Sequence, residues 1–327
     1  MRVFGRVVST LFAICLSPPV LAQQAGRTAV IWHDRGDIAA LDLVGGPGGK
    51  DHGPGHDLRF IAESPGGTSP KFEVEDERGI RWKVKLGEEA KSETAATRLL
   101  WAAGYVVDED YYRPEIRVLG LTPLARGQEF VSPDGIVTGA RLERQDGRET
   151  STTWSWYENP FIGRREFNGL RVMMSLINNW DLKDANNRVF DTAGGGEYGI
   201  TDLGATFGRT GNSITRSKGV PKDYADTRFI DEVTPTHVDF VMQSRPFFPL
   251  VFHLPRYRSR TRMESIVKQI PIADARWIGI RLGRLSPDQI RDCFRAAGFS
   301  PADVEVYEDV VTRRIVALKN LKPESRD

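Results

Sequence analysis

Residues 178–187 read Asn-Asn-Trp-Asp-Leu-Lys-Asp-Ala-Asn-Asn, with Lys183 between Asp181 and Asn186. Upstream, 164–178 carries Leu170, Met173, Met174 and Ile177 at helical spacing on one face, which predicts an amphipathic helix ending where the string begins. Downstream, 187–190 and 198–202 read as two short strands around the glycines 194–196, and the second runs into Asp202-Leu203-Gly204. The string is therefore a loop between a helix end and a hairpin. An aspartate there can take or align a hydroxyl proton, a lysine can meet a phosphoryl group, and an asparagine oxygen can reach a metal. Asp202, at a strand end before a glycine, suits metal coordination as well.

Outward from this centre the chain divides into a strand-rich half and a helical half, the α+β class. Alternating patterns predict strands at 57–63, 71–76 and 80–86, a helix over 88–104 with the stripe Ala96, Leu99, Leu100 and Ala103, and strands at 116–121 and 136–142. Before them, the glycine-rich stretch 45–55 reads as a loop or an arm laid over the surface. After the central string, helices are expected at 263–269, 272–283, 287–297 and 301–321, and Ser286-Pro287 and Ser300-Pro301 are good cap and first-turn pairs. The domain reading is a leader at 1–22, an arm and glycine-rich loop at 23–56, a strand-rich lobe at 57–145 and a helical lobe at 146–327.

Phosphoryl transfer depends on positioning and charge neutralisation, so its parts can be sought in order. Lys83 and Lys85 project from one face of the same expected strand. Lys85 is nearer the following helix and is preferred, although two solvated lysines on an edge strand would look the same. Glu93 lines up with Ala96 and Leu100 on the buried stripe, where a carboxylate wants a cation; Glu89, one turn earlier, is the fallback.

These strings resemble the protein-kinase-like superfamily. Asp181-Leu-Lys-Asp-Ala-Asn186 looks like its DLKxxN catalytic loop and Asp202-Leu-Gly204 like its DFG element. The resemblance implies a two-lobed fold that binds ATP with Mg²⁺. Asp181 would be the catalytic aspartate and Lys183 would contact the γ-phosphate. Asn186 and Asp202 would hold the metal, Lys85 would bind the α- and β-phosphates, and Glu93 would orient it. The family's GxGxxG loop is missing, and Gly66, Gly67 and Thr68 in a Pro-bracketed turn are its only substitutes. Asn179-Trp180 stands where the family has His-Arg, and no APE element follows. The departures point to divergent branches: HipA-like, phosphoinositide-kinase-like and secretory-pathway kinases. Trp82-Lys-Val-Lys-Leu-Gly87 and the central string also resemble a group of exported bacterial proteins, a kinship that supplies no function.

Export is also read from 1–22, where Arg2 and Arg6 precede an apolar stretch and Val20-Leu21-Ala22 forms a small-residue exit, predicting a periplasmic or secreted protein. Removing Arg2 and Arg6 takes the 45 basic residues to 43 against 44 acidic ones, a balance unlike that of a general nucleic-acid binder. No later stretch is apolar enough for a membrane span. Cys293 is left alone and reads as a packing residue. Basic residues gather at Arg209, Arg216, Lys218 and Lys222 and at Arg256, Arg258, Arg260 and Arg262, and would hold an anionic acceptor if both groups flank the cleft. His52 and His56 make a poor zinc pair across Gly53-Pro54-Gly55. Two other functions remain open: a non-catalytic pseudokinase-type binding protein, and a metal-dependent hydrolase using Asp181, Asp184 and Asp202.

Overall fold

In the computed structural model, residues 28–145, 150–210, 216–242 and 254–322 are described. The expected leader at 1–22 and the side chains of Arg256, Arg258 and Arg260 lie outside that set.

Five strands close into a small barrel in the order β2 (Leu58–Glu63), β3 (Lys71–Glu75), β4 (Arg81–Lys85), β6 (Ile136–Arg144) and β5 (Asp110–Leu119), with β1 (Thr28–Val30) elsewhere. Alternation drives closure. Phe72, Val74, Trp82, Val84, Ile116, Val118, Ala140 and Leu142 fill the interior, while Lys71, Lys83, Lys85, Arg141 and Glu143 occupy the alternate positions. The parallel pairing Leu58↔Val118 seals the ring. β4 lies between β3 and β6, so it is not the edge strand that the solvated-lysine alternative required.

Helix α1 (Glu89–Ala103) runs along the barrel but turns its apolar stripe the other way. Ala95, Ala96, Leu99, Leu100 and Ala103 belong to the larger core of the helical region. It stops at Gly104 (φ 108), a left-handed cap where a Cβ would lie 2.2 Å from Nε1 of Trp32. The β-rich first half and helical second half stand as expected. After β7 (Thr150–Thr152) come α2 (Arg165–Leu176), β8 (Asn187–Thr192), β9 (Gly195–Ile200), α3 (Pro221–Ala225), β10 (Ile230–Val233), β11 (His237–Phe240), α4 (Leu254–Ser265), β12 (Ile270–Pro271), α5 (Ile272–Leu282), α6 (Pro287–Ala296) and α7 (Pro301–Lys319). Ser286 and Ser300 cap α6 and α7. Cys293 is fully buried, donates to the Gln289 carbonyl, and burial pushes its thiol up.

Three expectations need correction. The glycine-rich stretch is tucked in, not laid over the surface: a Cβ on Gly48 would collide with the Glu109 carboxylate and the Tyr111 hydroxyl at 2.2 and 2.3 Å. The arm before it is also integral, because β1 pairs in parallel with β9 and Ile31, Ile38 and Leu43 enter the larger core. The helix expected at 263–269 begins at Leu254 and ends at Ser265, since its arginine-rich first turns carry no apolar stripe to reveal them. Among the described residues no helix is long and apolar enough to cross a membrane.

Candidate active site

The two lysines of β4 point out of the barrel toward the helical region, and their surroundings separate them. Lys83 meets Glu143 at 3.3 Å. Lys85, 3% exposed, donates to Glu93 Oε2 at 2.7 Å, to Asp202 Oδ1 at 2.7 Å and to Glu89 Oε2 at 3.3 Å. Burial works against its charge, but Glu93 and Asp202 hold the ammonium protonated well above the ordinary lysine range. Both glutamate candidates are used. Glu93 also meets Arg141 at 3.4 Å, and Glu89 takes an ion pair from Lys218.

Glu89 therefore sits between two cations. Burial raises its carboxyl, but Lys85 and Lys218 outweigh that and hold it at about 2, below its ordinary 4.5. A carboxyl depressed on folding stabilises the protein above the unfolded value and loses that contribution as pH falls toward the folded one. The stability gap between wild type and Glu89→Gln should thus be full above pH 4.5 and close as pH approaches 2. Unfolding midpoints across that window check it; a gap that does not change with pH refutes the ion-pair assignment.

The central string turns back on itself. Asn178 adopts φ 55 and donates to the Gly208 carbonyl, the Asn179 side chain accepts from the Asp181 amide at 3.0 Å, and the Trp180 amide reaches the Ala205 carbonyl at 3.2 Å. Asn186 Nδ2 donates to the Asp181 carbonyl at 2.8 Å. The Asn186 carbonyl in turn accepts from the Thr201 amide and hydroxyl at 2.9 and 3.0 Å. The β8–β9 pairing, Asn187↔Ile200, thereby sets Asn186 beside Asp202, a residue with φ 53. Ser92 of α1 donates to the Gly204 carbonyl at 2.8 Å and clamps the Asp202-Leu-Gly204 segment to the helix bearing Glu93. Lys183, 61% exposed, pairs with Asp181 at 2.7 Å.

Gly66, Gly67 and Thr68 lie exposed in the β2–β3 turn. Its carbonyls at Ser64, Pro65, Gly66 and Gly67 all accept from Arg126. The turn reaches the site through Ser69, whose hydroxyl bonds Glu89. A cleft of about 510 Å³ opens beside β3 and β4, its walls including Lys71, Lys83, Lys85, Glu93, Asn186 and Asp202, a size within the usual range of small-molecule sites. Asp181 joins it at one remove, through Asn186.

Solved protein kinases trace a similar path. The Helicobacter pylori proinflammatory kinase CtkA matches with TM-score 0.45 and 12% identity over 81% of this chain and 94% of its own. The Golgi casein kinase with Mn and ADP bound gives 0.44 and 10% over 81% of this chain and 72% of its own, and a second structure of the Golgi casein kinase gives 0.35 and 11% over 81% and 71%. No protein-family model matches, and no curated protein matches significantly in sequence.

The donor set suits a hard divalent cation. Asp202 and Asn186 both line the cleft, and Glu89, Glu93 and Asp202 bring carboxylate oxygens within 4.8 Å of one another, with the Lys85 ammonium among them. Among the described residues this is the one such cluster of histidines, cysteines or carboxylates. His52 instead meets Glu109 at 3.4 Å. The hydrolase trio is not gathered, because Asp184 turns away to accept from the Trp156 amide at 3.2 Å. Sequence reasoning missed Arg141, which the alternation of β6 puts on the same face as Glu143. It also missed the contact of Lys218 with Glu89, for which no local signal exists.

Proposed function

We propose that this chain is an exported Mg²⁺-dependent ATP phosphotransferase of kinase-like fold. The observation that carries the reading is the Lys85 ammonium, held at 2.7 Å by both Glu93 on α1 and Asp202 after β9, with Asn186 alongside. In this reading Lys85 binds the α- and β-phosphates, and Glu93 keeps it aimed into the cleft. Asn186 and Asp202 hold the Mg²⁺, which neutralises charge on the phosphates when bound. Asp181 aligns the acceptor hydroxyl and takes its proton, and Lys183 leaves Asp181 to meet the transferred phosphoryl group. An anionic acceptor is favoured by the residues beside Asp181: the Arg216 guanidinium lies 4.4 Å over the Trp180 ring, with the Lys218 ammonium 5.5 Å away. Export rests on the leader-like residues 1–22.

Thermal unfolding with ATP plus Mg²⁺, compared with ATP plus chelator, tests binding. A ligand at 100 times its Kd adds about 2.7 kcal/mol, so the midpoint should rise only with metal. Transfer of labelled γ-phosphate to a periplasmic extract tests catalysis. Binding without transfer would make this a pseudokinase-type binding protein. A midpoint indifferent to nucleotide at every metal concentration would end the reading.

A further inference from the structure

The cleft holds a third lysine that no feature of the central strings announces. Lys71 begins β3 and lies directly opposite Lys85 in the β3–β4 register. It shares Lys85's face of the barrel, because Phe72 and Val74 point inward. Like charges set opposite on neighbouring strands repel. Lys83 and Lys85 are neutralised by carboxylates, whereas the half-buried Lys71 ammonium has no hydrogen bond or ion pair among the described residues. It sits under the β2–β3 turn, where a Cβ on Gly67 would come within 3.0 Å of Nζ. The turn's carbonyls are committed to Arg126.

We propose that Lys71 is a second phosphate-binding lysine, taking the terminal phosphate oxygens of a bound nucleoside di- or triphosphate in place of the amides of the missing glycine-rich loop. The inference rests on the nucleotide reading above. An anion bridging Lys71 and Lys85 turns their repulsion into shared attraction, which accounts for a cation kept partly buried without a partner. Burial, then repulsion by Lys85, lowers the Lys71 pKa, and attraction to the Asp202 and Glu93 carboxylates offsets this only in part.

Calorimetric titration of wild type, Lys71→Met and Lys71→Arg with AMP, ADP and ATP, each with Mg²⁺, tests it. Charge-assisted hydrogen bonds contribute enough that Lys71→Met should weaken ADP and ATP at least about 10-fold. AMP affinity should change less than about twofold, since its phosphate does not reach Lys71, and Lys71→Arg should restore most of the loss. Without ligand, Lys71→Met should melt at or above the wild-type temperature, because a repulsion is gone. Lys71→Met binding ATP like wild type, or losing AMP as severely as ATP, overturns this inference alone. Wild type binding none of the three overturns the nucleotide reading and this inference with it.

Discussion

Asp202→Ala should reduce phosphoryl transfer at least about 1000-fold and remove the Mg²⁺-dependent rise in melting temperature with ATP. Removing one well-placed charge-stabilising group costs about 100- to 1000-fold, and Asp202 carries two tasks. It is one of the two strongest anchors of Lys85, at 2.7 Å, and it is the metal-ligand candidate beside Asn186. The side chain is 41% exposed, so the variant should fold. Asp202→Asn separates the tasks: an amide oxygen can still accept from Lys85 but binds a divalent cation weakly, so its loss should approach that of alanine. Transfer within about tenfold of wild type by either variant would remove Asp202 from the machinery.

Arg141→Met should cost about 3–5 kcal/mol and lower the melting temperature by roughly 10 °C. Arg141 is fully buried and joins four carboxylates: Nε meets Asp110 at 2.7 Å, Nη1 meets Glu143 at 2.8 Å, and Nη2 meets Glu93 at 3.4 Å and Asp108 at 3.9 Å. Met has a similar length but leaves those largely buried acids short of a cation. Asp110 keeps Arg98, Glu143 keeps Lys83 and Glu93 keeps Lys85, so the network is weakened rather than erased. Arg141→Lys, with its charge but without the planar fork, should fall between. A midpoint within about 2 °C of wild type for Arg141→Met, measured by calorimetry, would show that the remaining pairs suffice.

Much of this arrangement was legible in the sequence, and the legible parts share a cause. Alternation in 71–76 and 80–86 and the stripe of α1 are local periodicities, so the barrel strands, the helix and the common face of Lys83 and Lys85 could be read directly. Where periodicity is absent, reading failed. The arginine-rich start of α4 hides its helix, and the glycines of 45–55 pass for a surface arm because nothing nearby in sequence reveals Glu109 and Tyr111.

The sequence by itself determined which residue types stand at strand faces, helix stripes and loop ends, because covalent geometry imposes those periods on any chain. Only the tertiary structure decided the pairings: Lys85 with both Glu93 and Asp202, Glu89 together with Glu93, Arg141 behind them, and Lys71 without an ion pair among the described residues. Lys85 and Asp202 lie 117 residues apart, and an ion pair depends on distance through space and on exclusion of water, neither of which is written in local sequence.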